Sequence, residues 1–549
     1  MYAYNQIDQQ VVDQRVSQFR DQTLRFLDGQ LDEDVYKQLR LRNGLYVQRH
    51  APMLRVAVPY GVLNAEQMRC LAKIARDYDR DYAHVTTRQN FQFNWPELAD
   101  VPEILEELAK VQMHAIQTSG NCIRNVTSDP LAGVAPDEIE DPRVWCELIR
   151  QWSTLHPEFS FLPRKFKFAV TGSHEDRVAS QVHDIGLHLV RNDLGEVGFK
   201  VLVGGGMGRT PVIGKVIQHF LPRRDLISYL EAVLRVYNLH GRRDNLYKAR
   251  IKILVNAIGI DQFRKQVDAE WQIIRDSDLK LDDAHIQAVT DAFQTHQYQV
   301  LPEEDELLKR NLNTNPIFAT WYRQNTRPHK VSGYRIVYLS LKDHGLPPGD
   351  ITGKQMDAVA DLAEQYSRSE IRTTYSQNLV FAQIEQSVLY QLWQQLSRLK
   401  LATPNIGTVK DIICCPGFDF CGLANATSID VSQDIMRRFD RLDQLHDVGD
   451  IRINISGCMN ACGHHHVGHI GLLGVDKKGE DWYQITLGGS ASNHTALGKV
   501  LGPAVAKANI GDAVEVIVQT YINLREQNET FLQTLKRVGR GPFKEQVYV

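Results

Sequence analysis

The chain reads as an α+β protein made by internal duplication, each half a small α+β unit followed by a larger unit of mixed α/β strands. Two self-matches carry that expectation. The segment AEQMRCLAKIARDYDRDYAHVTTRQNFQF, from Ala65, aligns with GKQMDAVADLAEQYSRSEIRTTYSQNLVF, from Gly353; both have a QM start, helical apolar spacing and a TT…QN…F ending. The segment FKFAVTGS, from Phe166, aligns with RINISGC, from Arg452, and HDIGLHLVRNDLGEVGFKVLVGGG aligns with GHIGLLGVDKKGEDWYQITLGGS. Gly172 falls opposite Gly457 and Gly186 opposite Gly471 at one constant offset, which also sets Ser173 opposite Cys458.

In chain order, residues 1–50 read as a charged helical arm, with VVDQRVSQFRDQTLRFL amphipathic. Residues 51–117 form the first small unit. Residues 118–325 form the first larger unit, with extra helices from about 225 to 292 expected to be absent from the second copy. Residues 326–402 repeat the small unit and 403–549 the larger one. The loop candidates GDITG and NTRPH are short, so the halves are expected to pack closely.

At 549 residues, 43% hydrophobic and 23% charged, the chain suits a folded protein of several domains. A net charge of −3 and a pI near 6.7 give no global attraction to nucleic acid, so anion chemistry must come from locally gathered Lys and Arg. The N-terminus lacks a basic start followed by an apolar run, and no stretch approaches a membrane span. No membrane partner and a cytoplasmic location are therefore expected.

Of the eight cysteines, Cys415 and Cys421 lie in CCPGFDFC, and Cys458 and Cys462 in SGCMNAC. Such Cys-x5-Cys and Cys-x3-Cys pairs suit four thiolates converging on one iron-sulfur cluster. Structural zinc also takes four thiolates, although its pairs usually sit closer, and disulfides need an oxidising compartment. Cys70, Cys122, Cys146 and Cys414 are expected to pack as buried, unreactive thiols.

In LPRKFKFAV the ammonium groups of Lys165 and Lys167, two residues apart on a strand, project from one face and repel unless an anion sits between them. A solvated basic edge is the plainer account of that pair. Arg55 in PMLRVAVP, Arg88 in TTRQNFQF and Arg124 in NCIRNVTSDP call for buried ion pairs with Asp or Glu, but their stretches are poor in carboxylates, so ligand anions are a natural alternative partner. The repeat sets Ser376 opposite Arg88, so anion handling is expected of copy one and cluster binding of copy two. GGGMGR, from Gly204, lacks dinucleotide spacing and is followed by Pro211; its glycines are expected to let backbone approach a flat cofactor or another strand. The histidines of HHHVGH (His464, His465, His466, His469) are expected to form a surface or strand-face cluster.

Together these residues resemble the siroheme-dependent sulfite and nitrite reductase family, and within it the sulfite reductase hemoproteins, from about Gly44 onward. The resemblance rests on Cys-x5-Cys followed by SGCMNAC, on TTRQNFQF, on the RNV of NCIRNVTSDP, on LPRKFK and on the duplication. It implies an internally duplicated siroheme reductase fold whose small units are ferredoxin-like. It also implies that Cys415, Cys421, Cys458 and Cys462 hold a 4Fe-4S cluster, with Cys462 bridging to siroheme iron. Arg55, Arg124, Lys165 and Lys167 would surround the open face of that iron, and Arg88, with Thr86 and Gln92, would meet siroheme carboxylates.

The implied reaction is the six-electron reduction of sulfite to sulfide. In the family Lys-x-Lys at LPRKFK goes with sulfite, whereas nitrite reductases tend to place Asn second; a nitrite reductase and a non-catalytic siroheme or metal-binding scaffold are the alternatives. The sequence departs from the family in HHH after Cys462 and in the CCPGFDF loop. It shows no flavin- or nicotinamide-binding module, so electrons are expected from a flavoprotein reductase or a ferredoxin.

Overall fold

The computed structural model describes residues 4–293, 297–439 and 448–548. The first self-match folds into two equivalent helices, Ala65–Tyr78 and Gly353–Tyr366, each opened by a capping box, Asn64 with Gln67 and Thr352 with Gln355. Their apolar faces bury Met68, Leu71 and Ile74 in one helix and Met356, Val359 and Ala363 in the other. Each packs on a five-stranded antiparallel sheet.

The strand before each helix joins the other copy's sheet. Val62–Asn64 pairs with Glu370–Thr373, setting Leu63 opposite Ile371, while Asp350–Thr352 pairs with Tyr82–Val85, setting Ile351 opposite Ala83. One sheet therefore runs Leu45–Val47, Pro52–Val56, Phe91–Phe93, Tyr82–Val85, Asp350–Thr352; the other runs Thr326–Pro328, Tyr334–Leu339, Leu379–Glu385, Glu370–Thr373, Val62–Asn64. Exchange covers a sheet edge in each copy and merges the two small units around one core.

The second self-match builds two mixed sheets with the same register. Phe168 pairs with Ile185 in parallel, and Ile453 with Ile470, at the offset read from the sequence. Thr127–Ser128 and Ile413–Cys414 add a parallel strand to each, and antiparallel strands complete them. Even the irregular backbone is repeated. Gln89 and Gln377 (φ 59° and 60°) and Ala179 and His464 (φ 53° and 57°) adopt the left-handed conformation at equivalent positions.

Each mixed sheet buries one face under a long helix, Leu226–His240 in the first copy and Lys507–Leu524 in the second. This corrects the expectation that all helices after 225 are peculiar to copy one. A sheet with an apolar face requires a covering layer, so the duplicated sheet keeps its helix. The arm residues Val12, Phe19 and Tyr36 are buried, with Phe26 stacked on Tyr36 at 4.3 Å, so the arm belongs to the folded body. No helix among the described residues is long and apolar enough to cross a membrane.

Because Leu63 is fully buried on an exchanged strand, Leu63→Ala should cost about 2–5 kcal/mol, felt by both small units at once. Calorimetry should show these units unfolding in one shifted transition; a separate, unshifted transition for either would contradict the shared core.

Candidate functional site

Copy one gathers cations by backbone pairing. Arg124 donates its amide to the Phe166 carbonyl at 2.7 Å, and Ile123 bridges Phe166 in parallel, so Arg124 lies beside Lys165 and Lys167. Phe166 and Phe168 are fully buried and the lysines alternate with them, so both ammonium groups leave the opposite face, as the spacing predicts. Arg55 stands opposite Gln92 in the adjoining sheet.

These guanidinium groups are held by carbonyl and hydroxyl oxygens. Arg124 donates to Thr118 O (2.7 Å) and Gly120 O (2.9 and 3.1 Å). Arg55 donates to the Gln92 side chain at 3.0 Å and reaches the same Thr118 carbonyl at 3.5 Å, while its buried Nε has no partner. Arg88 donates to Thr127 Oγ1, Asn125 O and Phe168 O at 2.7, 2.7 and 3.1 Å. Among the described residues Arg55, Arg88, Arg124, Lys165 and Lys167 form no ion pair. Neutral acceptors orient a guanidinium without cancelling its charge, so the site retains a demand for anions.

The pKa shifts record that crowding. Burial, then Arg124, lowers Lys165 to about 7, and burial, then Lys165 itself, holds Lys167 well below the usual lysine range. Burial lowers Arg88 to about 9. The nearby carboxylate, Asp184, is fully buried and already paired with Arg250 at 2.7 Å, while its second oxygen accepts the Lys167 amide at 3.0 Å. Sequence reading missed Arg250 and Asp184, for which no local signal exists. Arg164 it passed over within LPRKFK, although burial, then Arg250 and Arg124, depress it too.

Thr86 and Gln92 occupy the same region in supporting positions. The Thr86 hydroxyl accepts the amides of Arg88 and Asn90 (3.3 and 3.2 Å), fixing the turn that aims Arg88. Gln92 divides its amide between Arg55 and Asn94.

Copy two brings the cysteines together at the ends of neighbouring parallel strands. Cys415 follows Ile413–Cys414, and Cys458 follows Ile453–Ser456, with Cys414 opposite Ile455. Gly457 donates its amide to Cys415 Sγ at 3.1 Å, and its carbonyl accepts from Asn425 and Ala426, tying the Cys421 loop to the Cys458 loop. A side chain at Gly457 would lie 2.7 Å from Ala426 O, so glycine permits this approach. Ala461, at φ 57°, turns the chain between Cys458 and the exposed Cys462.

All eight cysteines are free thiols. Burial first, then the charge of Cys462, raises Cys415 to about 12, and burial shifts Cys421 and Cys458 upward with Cys462 adding to it. A thiolate at Cys462 therefore acts on the other three, which places the four within electrostatic reach, and a cationic iron-sulfur core would stabilise all four as thiolates. Among the described residues no three His, Cys, Asp or Glu side chains converge tightly enough for a single metal ion. Burial raises Cys70, Cys122, Cys146 and Cys414 as well, the inert behaviour expected of them.

The two sets meet. Cys462 raises the pKa of Lys165, Arg55 lowers that of Cys421, and Thr87 in the Arg88 turn donates to the Cys462 carbonyl at 2.9 Å. The GGGMGR turn lies alongside, its Gly208 carbonyl bonded to His466 Nε2 at 2.9 Å. Any side chain at Gly205 would lie 2.4 Å from His183 O, so the close approach made by this turn is to backbone. The histidines correct the surface expectation: His464, His465 and His469 are buried. His464 caps the short helical turn His465–Val467 and its Nδ1 lies 3.0 Å from Tyr375 OH, while His469 directly precedes the strand Ile470–Lys477.

Comparison with known proteins finds related domains, sequences and a related fold. The nitrite and sulphite reductase 4Fe-4S domain matches residues 119–274 and 407–549, and the nitrite/sulfite reductase ferredoxin-like half domain matches 46–111 and 345–399. Sulfite reductase (ferredoxin) 2 of Mycolicibacterium paratuberculosis is 29% identical over 507 residues, 90% of this chain and 83% of that protein. The chloroplastic ferredoxin–nitrite reductase of Arabidopsis thaliana is 28% identical over 498 residues, 87% of this chain and 78% of its own. The solved Mycobacterium tuberculosis NirA protein superposes with a TM-score of 0.77 at 26% identity, covering 93% of this chain and 92% of that one.

Since Lys165 sits near 7 in the fold against an ordinary 10.5, the folded, cofactor-free protein binds fewer protons than the unfolded chain between those values. Its contribution to stability therefore rises with pH across that window and is least below about 7, and Lys167 acts in the same direction. Urea midpoints of cofactor-free protein at pH 7 and pH 9 should show this rise, flattened in Lys165→Met; an unaltered slope would exclude the lysine as its source.

Proposed function

The chain belongs to the siroheme-dependent nitrite and sulphite reductase family, and on that premise we propose that it reduces sulfite to sulfide with six electrons supplied by ferredoxin. The family's cofactors are siroheme and a 4Fe-4S cluster. The residues present fit both. Cys415, Cys421, Cys458 and Cys462 are free thiols on adjoining loops and would hold the cluster, and the exposed Cys462, which meets the Arg88 turn of copy one, would also ligate siroheme iron. Arg88, with no carboxylate of its own, is suited to the acidic rim of siroheme, Thr86 fixing its turn and Gln92 steadying Arg55.

One observation supports the reading: the turn that carries Arg88, one of five copy-one cations that form no ion pair among the described residues, reaches copy two at Cys462, where Thr87 donates to the Cys462 carbonyl at 2.9 Å. When bound, the coupled cofactors supply electrons and a binding position for the sulfur lone pair. The protein supplies anion recognition and protons. Arg55 and Arg124, both anchored on the Thr118 carbonyl, hold oxyanion oxygens and polarise them. Each oxygen lost leaves as water and takes two protons. Lys165, whose pKa is lowered in the cofactor-free fold by burial and then by Arg124, gives up a proton more readily than a free lysine and would deliver it to a leaving oxygen, with Lys167 beside it on the same face.

Nitrite is the second reading, favoured by the chloroplastic nitrite reductases among the relatives. Lys167, the second lysine of LPRKFK, favours sulfite. The free thiols required of cluster ligands point to a reducing compartment, and we place the protein in the cytoplasm.

Purified holoprotein should reduce sulfite to sulfide with reduced ferredoxin, and faster than nitrite at saturation; preference for nitrite would overturn the sulfite assignment. Lys167→Met should lower kcat by about a hundredfold or more while leaving the cofactor absorption spectrum intact, whereas Cys458→Ser should lose the cluster. Unchanged turnover in Lys167→Met would remove that lysine from proton delivery.

A further inference from the structure

We propose that the surface formed by Val47, Arg49, His50, Arg80, Trp95 and Leu423 is the docking site for a small acidic iron-sulfur carrier of the ferredoxin class. The assignment rests on the reading of this chain as a ferredoxin-dependent reductase.

The loop from Cys415 to Cys421 turns its aromatic side chains outward onto copy one. Arg49 lies over the Phe418 ring at 4.8 Å, and Trp95 meets Phe420 edge-on at 5.5 Å. Arg80 lies over Trp95 at 3.4 Å and His50 stacks against its ring at 6.2 Å. The Gln48 side-chain carbonyl accepts the Gly422 amide at 3.2 Å, bringing Val47 and Leu423 to either side of that bond. This surface is therefore continuous from the exit of the N-terminal arm to the residue beside Cys421.

Its chemistry specifies the occupant. Leu423 is 69% exposed and Val47 54%, a small apolar centre on a ligand-bearing loop. Arg49 and Arg80 rim that centre; neither forms an ion pair among the described residues, the adjoining Asp79 being held instead by the Arg80 and Trp95 amides at 2.7 and 2.8 Å, whereas Arg69 and Arg76 nearby are paired with Asp361, Glu364 and Asp357. Asp419, the carboxylate of the Cys415–Cys421 loop, is half-buried, and burial, then Asp430, raises its pKa. A modest apolar centre with unpaired rim cations suits a transient partner steered by opposite charge, and contact at the Cys421 loop keeps the electron path short.

The test compares wild-type holoprotein with Arg49→Glu/Arg80→Glu and the milder Arg49→Gln/Arg80→Gln, using sulfite and either a reduced plant-type 2Fe-2S ferredoxin or reduced methyl viologen. At low ionic strength the KM for ferredoxin should rise about tenfold or more in the Glu variant and less in the Gln variant, the gap closing with added salt. The methyl viologen rate and cofactor spectrum should not change, which also shows that both variants fold. A ferredoxin KM within about twofold of wild type in both variants would overturn the docking site while leaving the donor intact. Wild-type protein that accepts electrons from methyl viologen and an NADPH-dependent flavoprotein but not from ferredoxin would overturn the donor reading itself.

Discussion

Uncompensated positive charge is the constraint on which this site depends. Arg55, Arg88 and Arg124 are oriented by carbonyl and hydroxyl oxygens, and Lys165 and Lys167 by the strand that carries them. Burying such groups without counter-ions is unfavourable, and burial with like-charged neighbours lowers the pKa of both lysines. An anionic macrocycle and an oxyanion substrate bound among these cations would relieve that cost.

Duplication supplies the geometry, and divergence supplies the roles. At the constant offset of the second match, Lys165 and Lys167 face Asp450 and Arg452, an acid and a base 3.5 Å apart. Arg88 gives way to Ser376, and the buried Lys342 nearby is paired with Asp411. Copy two therefore balances its own cations. The converse holds at the cluster: Cys462 and Cys458 fall opposite Arg177 and Ser173, and Arg177 is paired with Asp129 and Asp137 at 2.8 and 2.7 Å. Where copy two gathers thiols, copy one closes the same place with an ion pair.

Strand exchange explains why the halves act as one machine. Val62–Asn64 and Asp350–Thr352 each complete the other copy's sheet, so the turn bearing Thr87 and Arg88 has little freedom relative to copy two. Thr87 then reaches the Cys462 carbonyl, while Met207 of the GGGMGR turn joins Tyr375, Ala461 and Val467 in a small apolar cluster. A site assembled from both copies needs this rigidity, because its charges act over distances that a loose interface would not preserve.

The sequence by itself determined the duplication, the helices of the small units, the shared face of Lys165 and Lys167 and the two cysteine pairs, because each follows from local periodicity or spacing. The same periodicity revealed the constant offset that the register of the mixed sheets repeats. Only the tertiary structure decided which copy each exchanged strand joins, since pairing partners such as Leu63 and Ile371 leave no trace in local pattern. It also decided the burial of His464 and His465, the equivalence of helix Lys507–Leu524 to Leu226–His240, and the roles of Arg250 with Asp184 and of Thr87 with Cys462. Those contacts join residues far apart in the chain, and long-range burial and charge pairing are set by how elements pack.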